Sequence, residues 1–218
     1  MKYIYFSLIL LSSTMSFSQS KQVTVAIYLQ DGVEVLDFAG PMEVFAYAGF
    51  KVFTVAETSD PIISQGILKI IPEYSLDNAP AADIITIVGG NSRKAFIEGG
   101  HELVAWIKSR IDKTDYFFSV CTGVYPLGRA GLLDGQTVTT FYQNIEDLRQ
   151  RFPGAKVIKG ARFVDNGKVV TTAGVSAGID GALHMVAKLK GEAAARQAAE
   201  YMEYDKWAPD DGLILSKN

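Results

Sequence analysis

Cysteine and histidine are scarce in this chain, which has one cysteine and two histidines among its 218 residues. A single cysteine excludes an intrachain disulfide framework, and so few soft ligands leave little from which to build a zinc site. Net charge is also small, with 21 Lys and Arg against 24 Asp and Glu, so the chain has no electrostatic signature of nucleic-acid binding. We therefore expect no metal, no organic cofactor and no nucleic-acid partner.

Long apolar runs are missing too, and the most notable short one lies at the amino terminus. Residues 3–11 are largely apolar, follow the positive charge of Lys2 and precede a small, polar stretch over 12–20. The run is too short for the roughly 20 residues of a membrane span but is typical of a secretory signal peptide. We predict cleavage after Ser18, or alternatively after Ser20, and a periplasmic or secreted protein without stable membrane insertion. The alternatives are a disordered or a membrane-anchored start.

The rest of the chain has the composition of one folded domain. Hydrophobic residues make up 48% and charged residues 21%, which is typical of globular proteins. The 20 glycines and 7 prolines are scattered, and no repeat or linker interrupts the chain. We predict a single domain over residues 21–218.

Strand patterns alternate with helical patterns along this domain. Apolar runs at 22–29, 83–88 and 115–120 indicate strands buried on both faces, and residues 37–48 carry apolar side chains at helical spacing, with Gly40-Pro41 in the first turn. Further strands are predicted at 51–56, 67–71, 137–141 and on both sides of Asn166-Gly167, and further helices at 92–110, 144–151, 175–189 and 192–204. The alternation predicts an α/β fold with a mainly parallel central sheet and helices on both faces.

Cys121 is the strongest candidate for a functional residue. It follows a predicted buried strand and opens a helix, as a nucleophile does at a strand-to-helix elbow, and a helix amino terminus favours thiolate. Backbone N–H groups of Thr122 and of Gly90, which ends a neighbouring strand, could stabilise an oxyanion. The carboxyl ends of parallel strands meet at one edge, where such sheets bind ligands. The alternative is a buried structural cysteine.

Four stretches together resemble the ThiJ/PfpI superfamily. They are VEVLDFAGPMEVF at 33–45, TIVGG at 86–90, SVCTGVYPLGRAGLLDGQTVTT at 119–140 and GVSAGIDGALHMV at 174–186. The resemblance covers nearly all of the chain after the leader and is closest to the isonitrile hydratase branch and to the amidotransferase-like domains fused to AraC-type regulators. It implies a flavodoxin-like, class I glutamine-amidotransferase-like three-layer sandwich and a homodimer.

The resemblance also implies roles for individual residues. Cys121 matches the nucleophile, Thr122 the residue after it that the isonitrile hydratase branch needs for activity, and Gly90 the glycine beside the oxyanion. Asp37 matches an acidic residue that faces the cysteine. A carboxyl beside a thiolate must share a proton with it, so Asp37 would act as acid and base in turn. The alternative for Asp37 is a helix N-cap.

One departure from the superfamily narrows the chemistry. Protease-like members carry histidine after the cysteine, where this chain has Thr122, and many regulator-like members carry histidine where it has Phe141. Without a Cys–His pair, peptidase and amidotransferase activity are disfavoured. Three functions remain open for a small-molecule substrate or ligand: isonitrile hydration, a glyoxalase or deglycase activity on reactive aldehydes, and non-catalytic ligand binding or redox sensing.

Overall fold

The computed structural model of the chain describes residues 21–91 and 93–216, and at its centre lies an eight-stranded sheet. The predicted signal peptide over 1–18 lies outside the described residues. The sheet contains β1 (Thr24–Tyr28), β2 (Lys51–Ala56), β5 (Tyr74–Ser75), β6 (Ile84–Ile87), β7 (Tyr116–Ser119), β10 (Phe163–Asp165), β11 (Val169–Thr172) and β12 (Leu213–Ile214). Two separate two-stranded ladders pair β3 (Ile62–Ser64) with β4 (Leu68–Ile70) and β8 (Thr137–Val138) with β9 (Lys156–Val157).

The large sheet is mostly parallel, as the sequence predicts. Its order is β12-β10-β11-β7-β6-β1-β2-β5, and the β10–β11 hairpin around Asn166-Gly167 is the antiparallel pair. The chain runs from β1 outward to β2 and then returns to β6 and β7 on the other side of β1. Such a reversal opens a crevice outside the carboxyl ends of the strands.

Helices cover both faces of the sheet. They are α1 (Val35–Tyr47), α2 (His101–Arg110), α3 (Val124–Arg129), α4 (Ile145–Arg151), α5 (Ala177–Lys190) and α6 (Glu192–Tyr201). Side chains of β1 alternate between two apolar cores: Val25 and Ile27 join the core that contains residues of α1, α5 and α6, and Ala26 and Tyr28 join the core beside α2, α3 and α4. Within the described part of the chain, no helix has the length and apolar character to cross a membrane.

Two local predictions were wrong. Pro41 lies in the second turn of α1, not the first, because the helix begins at Val35. The predicted strand over 137–141 is reduced to Thr137–Val138 and pairs with β9. The predicted strand over 67–71 is present as Leu68–Ile70 and pairs with β3. The predicted helix over 92–110 is interrupted at Gly99-Gly100, where a π-helical segment over Arg93–Glu98 ends and α2 begins.

Candidate functional site

Cys121 lies on a strained elbow directly beyond β7. Its φ is +58°, a left-handed conformation that costs a non-glycine residue about 1–3 kcal/mol. Two hydrogen bonds hold the residue there: its N–H donates to Ala173 O at 3.0 Å, and the Thr140 hydroxyl donates to its carbonyl at 2.7 Å. A Cβ on Gly123 would lie 2.0 Å from Ile87 O, so only glycine lets the elbow pass this close to β6. The predicted strand-to-helix elbow is therefore present, with a single 3₁₀ turn over Cys121–Gly123 before α3.

Asp37 is fully buried in the first turn of α1 and points at the cysteine. Its Oδ2 accepts the N–H of Gly89 at 3.0 Å and its Oδ1 accepts the N–H of Val175 at 3.1 Å, and the carboxylate also accepts a hydrogen bond from the Cys121 thiol. Val175 donates from a left-handed conformation with φ +54°, which is strained for a β-branched residue. The N-cap alternative for Asp37 is wrong, because Glu34 occupies the cap position and Asp37 bonds to two other segments.

Gly89 is the point at which the reactive groups meet. A Cβ built on it would lie 2.7 Å from Asp37 Oδ2, 2.7 Å from Thr122 Oγ1 and 2.8 Å from Cys121 Cβ. Real Cβ atoms essentially never approach heavy atoms so closely. Of the adjacent glycines Gly89 and Gly90, only Gly90 was predicted to take part in the site. The pattern that also indicates Gly89 is that both glycines follow a predicted buried strand.

Gly90 and Thr122 lie beside each other at the same edge. Gly90 has φ +137° and forms an isolated antiparallel bridge with Val33, and a Cβ on it would lie 2.3 Å from Gly32 O. Its N–H is 3.4 Å from Thr122 Oγ1, which is long for a hydrogen bond. This N–H is therefore only weakly engaged, and both residues line one cavity with the cysteine. The geometry is compatible with the predicted oxyanion role, which stays a prediction.

The protonation of the pair differs from the expectation of a thiolate. Burial and the Asp37 carboxylate raise the pKa of Cys121 far above its usual range, although hydrogen bonds from Thr122 oppose the shift. Burial likewise raises the pKa of Asp37, to about 7, against the hydrogen bonds that it accepts. The expectation failed because a helix amino terminus stabilises a thiolate by less than burial and a neighbouring anion destabilise it. At neutral pH the sulfur therefore keeps its proton, and Asp37 is about half ionised.

A cavity of about 520 Å³ opens above Cys121; Asp37 is fully buried and does not line it. Cys121 is 6% exposed at its floor, and the walls are mainly polar, with Phe141 as the aromatic side chain. Glu34, Gln65, Asn91, Asn144 and Val175 also line the cavity. None of them was predicted from the sequence, because they come from loops and segment ends. The Gln65 amide donates to the Glu34 carboxylate across the opening.

Neither histidine lines this cavity, in agreement with the predicted lack of a Cys–His pair. His184 is buried in α5 and its Nε2 is 2.8 Å from Asp165 Oδ2. His101 is exposed at the start of α2, with Nδ1 3.1 Å from Arg129 Nη2. Among the described residues no group of His, Cys, Asp and Glu side chains has the arrangement of a metal site.

Known proteins with similar sequences include enzymes and regulators. The chain is 33% identical over 180 residues to isonitrile hydratase of Pseudomonas putida, which spans 82% of this chain and 77% of that protein. It is 27% identical over 139 residues to the HTH-type transcriptional regulator GbdR of Pseudomonas aeruginosa, covering 64% of this chain but 37% of the regulator.

Solved structures agree with the observed fold. A ThiJ/PfpI family protein from Pseudomonas syringae superposes with a TM-score of 0.78 at 30% identity, over 91% of this chain and 84% of that one. Drosophila melanogaster DJ-1beta superposes with a TM-score of 0.72 at 17% identity, over 84% and 98% of the two chains, and supports the fold alone. The sequence pattern of the DJ-1/PfpI family matches residues 23–188, which contain the elbow cysteine, its carboxyl partner and the glycine between them. The chain therefore belongs to the DJ-1/PfpI family.

Proposed function

We propose that this protein hydrates an isonitrile to an N-substituted formamide, with Cys121 as nucleophile and Asp37 as its acid–base partner. The observation that carries the proposal is the thiol–carboxylate contact beneath Gly89, in a cavity that no histidine lines. The sequence similarity to isonitrile hydratase of Pseudomonas putida supports it independently.

The first half of the reaction requires only a thiol and a base. Asp37 takes the proton from the sulfur as Sγ bonds to the terminal carbon of R–N≡C, and then gives that proton to the same carbon. The product is a thioimidate, R–N=CH–S–Cys121. A carboxyl with a pKa of about 7 is suited to both transfers, because at neutral pH it gives and takes a proton at similar cost.

The second half adds water and releases the cysteine. Asp37 takes a proton from the water whose oxygen bonds to the thioimidate carbon, and the imidate nitrogen receives that proton. The intermediate R–NH–CH(OH)–S–Cys121 then loses its C–S bond, the hydroxyl proton returns to the sulfur through Asp37, and R–NH–CHO leaves. The Gly90 N–H and the Thr122 hydroxyl and N–H are the donors beside this oxygen. No amine is expelled, so the reaction does not need the general acid that a histidine supplies to amide hydrolysis.

The redox-sensing alternative is less favoured by the site. Oxidation of cysteine by peroxide follows thiolate character and exposure. Cys121 is 6% exposed, and burial together with Asp37 raises its pKa. The aldehyde alternative uses the same two groups, so a direct comparison of substrates is needed.

Purified protein should be incubated separately with n-butyl isocyanide and with methylglyoxal. We expect a formyl proton signal from N-butylformamide by NMR, abolished in Cys121→Ala and in Asp37→Asn. Asp134→Asn, an exposed carboxylate on the other side of α3, is the matched control and should retain activity. Lactate without formamide would replace the proposal with the aldehyde reaction. Addition of two oxygens to Cys121 by dilute peroxide, with neither substrate consumed, would support the sensor.

Export and homodimer formation are parts of the proposal that rest on the sequence alone. We expect the protein isolated from its native host to begin at Gln19 or at Lys21. An intact amino terminus by Edman sequencing would contradict export. Light scattering on that same material should give twice the mass of the chain.

A further inference from the structure

A second and larger cavity lies next to the one above Cys121. Its volume is about 620 Å³, and it lies beyond the carboxyl ends of β1 and β2. Gly32 and Asn91 line both cavities, and the Asn91 N–H donates to Gly32 O at 2.9 Å. The two spaces therefore adjoin at this stretch of backbone, and a ligand that lies over it would reach both.

The larger cavity is acidic. Its carboxylates are Asp31, Glu57, Asp60 and Glu102, and none of the four forms an ion pair with a described residue. Asp31 accepts the N–H of Ile63 and Asp60 the hydroxyl of Thr58, which are neutral donors. Among the described lining residues Lys94 is the one lysine or arginine. Arg129 is not a lining residue; it contacts His101, and its guanidinium donates to backbone carbonyls. Negative charge therefore exceeds positive charge here.

A polar atom without a partner is buried beneath the lining of this cavity. Gln30 lines it, is 6% exposed, and donates from Nε2 to Val88 O at 3.3 Å and Gly89 O at 3.1 Å. These two bonds fix the orientation of the amide, and its Oε1 accepts no hydrogen bond within the described part of the chain. Beside it Tyr28 has its pKa raised by burial and by the charges of Glu57 and Glu102, so its hydroxyl stays a donor in a negative field. A buried acceptor in a negative field matches a cationic N–H donor.

We propose that the substrate carries a protonated amino group, which the larger cavity binds while the reactive carbon lies over Cys121. This inference rests on the proposed function, and the ligand class it names is an aliphatic ammonium ion joined by a short chain to the electrophile. A metal ion is not the match, because the described carboxylates do not converge as metal ligands. Gln30 bonds to Gly89, whose N–H bonds to Asp37, so the ammonium site and the reacting pair are neighbours on one segment.

The test compares two substrates that differ only in charge. We expect kcat/KM for 3-isocyanopropylamine to exceed that for n-butyl isocyanide by about tenfold, which corresponds to about 1.4 kcal/mol. The preference should lie in KM, since the charge is remote from the reacting carbon. Glu57→Gln combined with Glu102→Gln should reduce it to about twofold. The matched control Glu200→Gln, an exposed carboxylate of α6, should keep it. Equal preference in wild type and double variant would overturn the inference.

A binding measurement separates this inference from the hydration proposal. Propylammonium chloride should raise the melting temperature of the wild-type protein, propan-1-ol should not, and the double variant should lose the response. If these three outcomes are found but neither isocyanide is turned over, the acidic site is supported and only the hydratase reaction is rejected. No response to propylammonium, with both isocyanides turned over equally well, would reject the acidic site and leave the hydratase reaction standing.

Discussion

Gly89→Ala should disable the site while leaving the fold intact. Ala at 89 needs no change of backbone conformation, because the φ of Gly89 is not in the left-handed region. Its Cβ would meet Asp37 Oδ2 and Thr122 Oγ1 at 2.7 Å and Cys121 Cβ at 2.8 Å, against 3.4–4 Å for ordinary contacts. Each group must therefore retreat by about 0.6 Å, and displacements near 1 Å cost about 10²-fold in rate.

The control for this substitution is Gly128→Ala. Its Cβ would meet three atoms of the Phe152 ring at 2.6–2.8 Å, a crowding of equal severity in α3. Both variants should lose about 1–3 kcal/mol of unfolding free energy from overpacking, as measured by urea denaturation. Formamide production should fall about 10²-fold in Gly89→Ala and less than about threefold in Gly128→Ala. Turnover by Gly89→Ala within threefold of wild type would refute the requirement for contact at this point.

Three further outcomes test the electrostatics. Because ionised Asp37 is the base and its pKa is about 7, kcat/KM should rise about tenfold per pH unit below 7 and level off above it; a flat profile from pH 5 to 9 would contradict this role. Asp37→Asn removes an anion beside the sulfur and should make iodoacetamide alkylation of Cys121 at pH 8 about tenfold faster by mass spectrometry; unchanged labelling would count against the coupling. Arg162→Ala removes the cation that pairs with Asp180, whose side chain is 2% exposed. The free energy of unfolding, measured by urea denaturation, should fall by about 2 kcal/mol, less than for a fully buried pair because Arg162 is 37% exposed. Arg162→Lys should restore part of this loss.

The architecture could be predicted because buried parallel strands carry an unambiguous pattern. Runs such as 83–88 and 115–120 are apolar at four of six positions, adjacent ones included, which is typical of a sheet covered on both faces. The strands within 67–71 and 137–141 pair outside the central sheet, and a local sequence pattern does not say which strand a segment pairs with. Pro41 was placed in the first turn because the helix was predicted to begin at Asp37, two residues after its actual start at Val35.

The site was predictable in its chemistry but not in its geometry. Cys121 could be selected because it follows a buried strand and opens a helix, and Asp37 because the resemblance to the ThiJ/PfpI superfamily implied its role. Val175 and Gly89 escaped because their contribution is a backbone N–H, which every residue except proline offers. Glu34 and Gln65 escaped because they meet only where a loop end and a hairpin tip approach each other. The protonation state depends on burial, which the sequence does not quantify.

The short segment between β11 and α5 controls the distance between the two reacting groups. Its residue Ala173 accepts the N–H of Cys121, and two residues later Val175 donates to Asp37. The nucleophile and the acid come from remote parts of the chain, yet both are hydrogen-bonded to the same three consecutive residues, 173–175. A disturbance of this one segment would therefore remove a backbone hydrogen bond from the nucleophile and from its acid at the same time.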